Sequence, residues 1–322
     1  MKPTIVFLDE ATVNIGDLDI KPISQLGKYR HYNVLHHSSQ ILLRARRADI
    51  IITNKEEIGE KEFSKLPRLK LICVTATGVN NIDLKAAKRR GIAITNVAGY
   101  STPTVAEHAL MFILALGHRL LEHHESAVSG EWSRSPFYNI LDYAFQDLAG
   151  KRLGIIGYGA IGKRVARLAK GLGMTILIAK LPRRKYGGKP RRLSLPSLLR
   201  QSDFVCIHTA LSDQTRHLID KKNLRLMKRS AYLINVARGA VVHERDLAYA
   251  LKKGQLAGYA TDVLSEEPPP RNHPLLQKSV RKKVLLSPHV AWASRESRQR
   301  VIDEVGKNIE AFLKGRHRNR LV

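Results

Sequence analysis

Acidic residues are scarce in this 322-residue chain: 28 Asp and Glu stand against 55 Lys and Arg, a formal net charge of +27. Such an imbalance attracts anions in general, nucleic acid among them. Aromatic residues make up only 6% of the chain, however, and the cations are spread from end to end. No zinc-finger or RNA-binding signature interleaves them, so a nucleic-acid partner is not expected. There are two cysteines, Cys73 in "LICV" and Cys206 in "FVCIH", both in strand-like apolar runs. Buried thiols are therefore expected in place of a disulfide or a metal centre. The paired histidines His36–His37 and His123–His124 lack helical i, i+4 spacing and any cysteine framework, so no metal site is expected. No apolar run approaches the length of a bilayer span, and the opening "MKPTIVFLDEATV" lacks the layout of a signal peptide. The expectation is a cytoplasmic protein with no membrane partner.

What is present is the composition of a globular protein, 43% hydrophobic and 26% charged, long enough for two domains. Strand-like and helix-like segments alternate almost throughout. "TIVFLD" (4–9), "DIIITN" (49–54), "LKLICVTA" (69–76) and "IAITNV" (92–97) are short β-branched runs, with "SSQILLRARRA" and "NIDLKAAKRRG" as helices between them. Gly91 suits the C-cap of the second helix. A long helix is expected from "STPTVAEHALMFILALGHRLLEHHES", capped by Thr102 with Pro103 in its first turn and apolar for about five turns. It is too apolar for a surface helix and is expected to pack between domains or against a second subunit. The segment that follows, "SGEWSRSPFYNILDYAFQDLAG", has no clear period and reads as an arm that contacts a partner chain.

A second series begins at Lys151, with "KRLGIIG", "TILIA", "DFVCIH", "AYLINV", "GYATDVL" and "KVLLSPH" as strands and 294–315 as a closing amphipathic helix. Alternation of this kind argues for parallel sheets covered by helices. Within the series, Gly157, Gly159 and Gly162 of "GYGAIG" follow an apolar strand and open a helix. The first glycine permits the turn, the second lets a pyrophosphate approach the backbone, and the third allows close helix–strand packing. The pyrophosphate then meets the helix N-terminus. In such a unit the next strand usually ends in an acid that holds the adenosine ribose diol. Here the strand "TILIA" ends at Lys180, with Arg183 and Arg184 just beyond. Between Asp147 and Asp203 there is no acid at all, while residues 148–202 carry fourteen Lys or Arg.

Three further segments, "INVARGAVVHERDL" (234–247), "GYATDVLSEEPPP" (258–270) and "LLSPHVAWAS", join the glycine turn and "ATGVNNIDLKAAKRRGIAITNVAGYSTPTVAEHAL" (76–110) in order and spacing. The set resembles the D-isomer-specific 2-hydroxyacid dehydrogenases over nearly the whole chain. That resemblance implies an α/β fold of two Rossmann-like domains with parallel sheets. The cofactor domain (101–287) would be inserted in a flavodoxin-like substrate domain (1–100 plus 288–322). It also implies a homodimer. The family's catalytic positions fall on Arg238, Glu267 and His289, and its substrate contacts on Ala76, Thr77, Gly78 and Trp292. Cofactor contacts fall on Thr104, Gly157, Tyr158, Gly159, Ala160, Ile161, Gly162, Lys180, Arg183, Arg184, His208, Thr209, Thr215, Val236, Ala237, Asp262 and His289. Asp262 matches the aspartate that anchors the nicotinamide carboxamide.

The residue types suit the implied chemistry. Reducing a 2-keto acid needs hydride at carbon and a proton for the developing alkoxide; a histidine oriented by a carboxylate supplies the proton. A guanidinium holds the substrate's carboxylate and polarises its carbonyl. Trp292 resembles the form found in glycerate dehydrogenases, where a bulky ring trims the pocket to small keto acids such as hydroxypyruvate or glyoxylate. Glu267 in place of glutamine argues against the formate dehydrogenase branch. With the sequence ending at residue 322, the regulatory domain of many phosphoglycerate dehydrogenases is not expected.

With Lys180 in the acid's place, NADP(H) is expected to be favoured, NAD(H) remaining an alternative. One cation–phosphate contact near a surface is of order 4 kcal/mol before desolvation and entropy are subtracted. Two other functions are alternatives: a dinucleotide-sensing binding protein of the co-repressor kind, and an NAD-linked dehydrogenase for another acid such as phosphite. Intact catalytic positions weigh against the first. Ala210 stands where relatives commonly have proline, and the stretch between Glu267 and His289 is a few residues longer than usual.

Overall fold

The β-branched runs form the strands of two parallel sheets in this computed structural model, which describes residues 2–33 and 39–322. The His36–His37 pair lies outside the described residues. Two compact units emerge: Met1–Ser101 with Trp292–Val322, and Thr102–Ala291.

The first unit holds a five-stranded sheet of β1 (Thr4–Phe7), β2 (Lys28–His31), β3 (Ile50–Thr53), β4 (Leu71–Val74) and β5 (Ala93–Thr95), in the order β2-β1-β3-β4-β5. All of its pairings are parallel. The fully buried runs of β3 and β4 read as continuous apolar sequence because both faces are covered. On one face lie Phe63, Ala86 and Ile82; on the other, Val301, Val305 and Ile309 of the helix Arg295–Leu313. Ser294 caps that helix, its hydroxyl accepting from Ser297 N–H at 3.1 Å. β2, "KYRH", carries no apolar signal; it is a polar edge strand defined by its pairing with β1.

The second unit holds β6 (Arg152–Ile156), β7 (Thr175–Ile178), β8 (Phe204–Ile207), β9 (Tyr232–Asn235), β10 (Gly258–Thr261) and β11 (Val284–Leu286), ordered β11-β10-β9-β8-β6-β7. Beyond β7, Ala179 makes one more parallel bridge, to Leu193. Strand order reverses between β6 and β8, so the crevice outside their carboxyl ends is the place where open α/β sheets bind ligands.

The long helix expected from residue 102 is two helices, Thr102–Gly117 and Leu120–Val128, bent by 62°. Arg119 lies between them with a left-handed φ of 52°, which ends the first helix and re-aims the chain. The first helix begins at Thr102 itself and buries Val105, Ala109, Phe112 and Ile113 against its own unit, on the helix Ala160–Gly171 and on β9 and β10. Met111, Leu120, Leu121 and Val128 remain exposed, as do Phe137, Tyr138 and Leu141 of the arm that follows. Among the described residues no single helix is long and apolar enough to cross a membrane; the bent pair passes only when its two halves are taken together.

Candidate active site

Arg238, Glu267 and His289 follow the carboxyl ends of β9, β10 and β11, three neighbouring strands. A side-chain contact then joins Glu267 and His289. His289 Nδ1 lies 2.5 Å from Glu267 Oε2, and Glu267 Oε1 accepts from Leu264 N–H at 2.8 Å, so both carboxylate oxygens are directed. With Nδ1 engaged, Nε2 is the ring atom through which a substrate proton can pass. Arg238 is exposed and has no ion pair among the described residues; its Nη1 donates to its neighbour's carbonyl, Ala237 O, at 2.7 Å.

The turns carrying these groups interlock. Gly239 follows Arg238, and a Cβ there would fall 1.9 Å from Leu264 C and 2.2 Å from Ser265 N. Only glycine lets the Arg238 turn lie against the Glu267 turn. Asn235, fully buried, braces the first turn by accepting from Ala237 N–H and donating to Arg238 O, each at 3.0 Å. Glu244, also buried, braces the second: it accepts from Ser265 N–H at 2.8 Å and from the Ser265 hydroxyl, and meets His273 Nε2 at 3.1 Å. His273 Nδ1 accepts from Leu275 N–H, which places the ring proton on Nε2, facing Glu244.

Asp262 organises the third turn. Its carboxylate accepts from Ser287 Oγ at 2.5 Å and from the backbone N–H groups of Val290 and Ala291 at 2.8 Å each. Those bonds hold His289 at φ 55°, a left-handed conformation that is strained for any residue with a side chain. His108 Nε2 lies 2.9 Å from Ser287 Oγ. Because the serine proton goes to Asp262, His108 donates, and its ring is the neutral Nε2–H tautomer. Burial lowers the His108 pKa, and the Asp262 carboxylate only partly offsets this.

The glycine turn lies at the β6/β8 crevice. A Cβ on Gly157 would meet His208 C and Thr209 N at 2.6 Å, and one on Gly162 would meet Gly157 O at 2.2 Å. Around Gly159, by contrast, nothing lies within 4 Å, and no side chain caps the helix Ala160–Gly171 that begins there. Tyr158 and Ile161 are half-buried on either side. Both ring nitrogens of His208 are shut off from solvent without a partner among the described residues, and burial drives its pKa down to about 3. An open cradle at a helix N-terminus, walled by close-packed backbone and flanked by orphaned polar atoms, fits a dinucleotide. Thr209 and Thr215 are buried nearby; Thr215 Oγ1 donates to Ala210 O at 2.7 Å and closes the loop. Val236 is buried, while Thr104 and Ala237 are half-buried. Lys180, Arg183 and Arg184 are exposed beyond β7, with no acid partner among the described residues.

In the first unit, Ala76, Thr77 and Gly78 follow β4. Ala76 O accepts from Val97 N–H at 3.1 Å, the Thr77 hydroxyl donates to Val97 O at 3.0 Å, and Asn96 Nδ2 donates to Thr77 O at 2.7 Å. Trp292 sets its ring edge-on to Tyr100 at 6.2 Å. At this sheet's own switch point, β1/β3, buried Asp9 accepts from the N–H groups of Asn54 at 3.0 Å and Lys55 at 2.7 Å. Burial raises the Asp9 pKa against the lowering effect of those bonds.

Sequence reasoning had not singled out Asn235, Glu244, His273, Ser287, His108 or Asp9. Each acts through a turn that only the folded chain brings to it. His123 packs edge-on to Tyr143 and Phe145, and among the described residues no group of three His, Cys, Asp or Glu is placed to hold a metal ion.

Residues 110–291 match the family model of the D-isomer specific 2-hydroxyacid dehydrogenase, NAD binding domain. The chain is 36% identical to a glycerate dehydrogenase of Methylorubrum extorquens, with 99% of both chains covered. It is 36% identical to a hydroxypyruvate reductase of Blautia hydrogenotrophica (97% of both) and 40% identical to a glyoxylate reductase of Aeropyrum pernix (86% of this chain, 83% of that one). Among solved structures, an acyclic imino acid reductase in complex with NADPH and D-Arg superposes with a TM-score of 0.85 at 26% identity, covering 99% of this chain and 100% of that one. A D-lactate dehydrogenase from Aquifex aeolicus, complexed with NAD and lactic acid, superposes with a TM-score of 0.79 at 28% identity, covering 97% of this chain and 96% of that one.

Proposed function

The chain belongs to the D-isomer-specific 2-hydroxyacid dehydrogenase family, and from that premise we propose that it reduces a small 2-keto acid, hydroxypyruvate or glyoxylate, with NADPH. The observation that carries the reaction class is the 2.5 Å contact between His289 Nδ1 and Glu267 Oε2 beside Arg238. A carboxylate at Nδ1 fixes the imidazole's orientation, so that Nε2 hands a proton to the oxygen of the substrate carbonyl. Arg238, with no carboxylate partner among the described residues, grips the substrate's carboxylate and polarises the carbonyl.

When bound, the reduced nicotinamide supplies the hydride. The residues that hold the dinucleotide are those of the glycine turn, with Thr104, His208, Thr209, Thr215, Val236 and Ala237 lining its path. Asp262 serves the nicotinamide end chiefly by fixing the 287–291 turn. Preference for the phosphorylated cofactor rests on Lys180, Arg183 and Arg184 where an acid would hold a ribose diol. The relatives named glycerate dehydrogenase, hydroxypyruvate reductase and glyoxylate reductase support the substrate class.

The test is absorbance of reduced nicotinamide with purified protein, either keto acid, and NADPH or NADH in parallel. A higher kcat/KM with NADPH is expected. Turnover with NADH alone would remove the cofactor preference, and no turnover with either acid would remove the substrate class. A second copy of the chain is the partner proposed for the apolar surface of Leu120, Leu121, Phe137 and Leu141, with a dimer expected in sedimentation.

A further inference from the structure

The chain between β7 and Leu193 is not a loose basic loop. Lys180 N–H donates to Leu193 O at 2.8 Å, and Leu193 N–H donates to Ile178 O at 2.8 Å, so both ends of the loop are sewn to the strand end. Inside it, the Tyr186 hydroxyl accepts from Leu181 N–H at 3.1 Å. Arg192, the residue before Leu193, then places its guanidinium 4.3 Å from the ring centre of Tyr186 and 5.8 Å from that of Tyr158. Tyr158 stands between Gly157 and Gly159 in the cofactor turn. Arg192 is thus tied to both features that bracket an adenosine ribose in this kind of unit: the glycine turn, and the end of the second strand.

Lys180, Arg183 and Arg184 are exposed and must give up side-chain freedom to hold a ligand. Arg192 is half-buried, and two aromatic faces already hold it. It has no carboxylate partner among the described residues, and none is available locally, since residues 148–202 contain no acid. Its charge is therefore not neutralised, its orientation is set in advance, and its planar fork suits two oxygens of one phosphate.

We propose that Arg192 is a specificity-determining cation for the 2′-phosphate of the cofactor, held in advance beside Lys180, Arg183 and Arg184, with Tyr186 and Tyr158 as its positioning residues. The proposal rests on the NADPH reading and names a residue that enforces it.

The test uses the full chain and two nicotinamide-free probes, 2′-phospho-ADP-ribose and ADP-ribose, titrated by calorimetry into wild type, Arg192→Gln and Arg192→Lys. Wild type is expected to bind the phosphorylated probe more tightly. Arg192→Gln is expected to lose about 10- to 100-fold for that probe, the value of a charge-assisted contact, and to change little for ADP-ribose. Arg192→Lys keeps the charge but not the fork and is expected to recover part of the loss. A melting curve for each variant establishes that it is folded. If wild type binds the two probes equally, the cofactor reading fails before any variant is made. If wild type discriminates and Arg192→Gln discriminates as strongly, this inference is overturned. Equal weakening of both probes by Arg192→Gln also overturns it, leaving Arg192 as a brace for the loop.

Discussion

His289 meets two demands at once. Its backbone is held in a left-handed conformation by bonds to Asp262, and its ring is held by Glu267. Replacing it with asparagine removes the proton donor and leaves the turn intact, so kcat should fall by about 10²- to 10⁴-fold in steady-state assays. Retained turnover would take the acid role away from this residue. His208 makes the opposite use of burial. Its folded pKa of about 3 lies below the usual 6.5, so the unfolded chain takes up a proton that the folded chain refuses. The stability that depends on its neutrality is complete above pH 6.5 and is lost as pH falls from there towards 3. His108, also lowered, acts in the same sense. Measured by denaturant unfolding, His208→Leu should flatten the slope of stability against pH in this window by up to about 1.4 kcal/mol per pH unit. An unchanged slope would mean that water reaches the ring.

Among the elements, the contact between turns matters more than the strands that present them. At Gly239 an added methyl would strike backbone at 1.9 Å, and no flexible side chain is there to yield. Gly239→Ala must push the Arg238 turn away from the Glu267 turn. A shift of about 1 Å at a reacting centre costs on the order of 10²-fold, so kcat should drop well beyond any loss explained by unfolding. A variant with normal kcat and a normal melting curve would show that the two turns are not coupled. The buried Glu244–His273 pair clamps the same loop from its far side.

For the molecule as a whole, the charge of +27 is its most unusual property, and both proposed ligands are anions. Long-range attraction should raise encounter rates and weaken as salt screens it. Raising ionic strength from about 0.05 to 0.5 M, over which the screening length shrinks severalfold, should raise KM for keto acid and NADPH and leave kcat nearly constant. A KM indifferent to salt would place the excess charge away from the ligand's approach.

The sequence by itself determined the alternation of strands and helices, because apolar β-branched runs and capped helical stretches are local signals. It determined the glycine turn and the lack of an acid beyond it for the same reason. It did not reveal the polar edge strand β2, defined by its pairing with β1, or the left-handed turn at Arg119. What only tertiary structure decided is which distant groups share a turn. Gly239 against Leu264, Asp262 on Val290 and Ala291, Glu244 on Ser265 and Arg192 between two tyrosines are contacts between segments far apart in sequence or looped back on themselves. Periodicity and composition carry no record of such contacts, because closing the chain into sheets is what creates them.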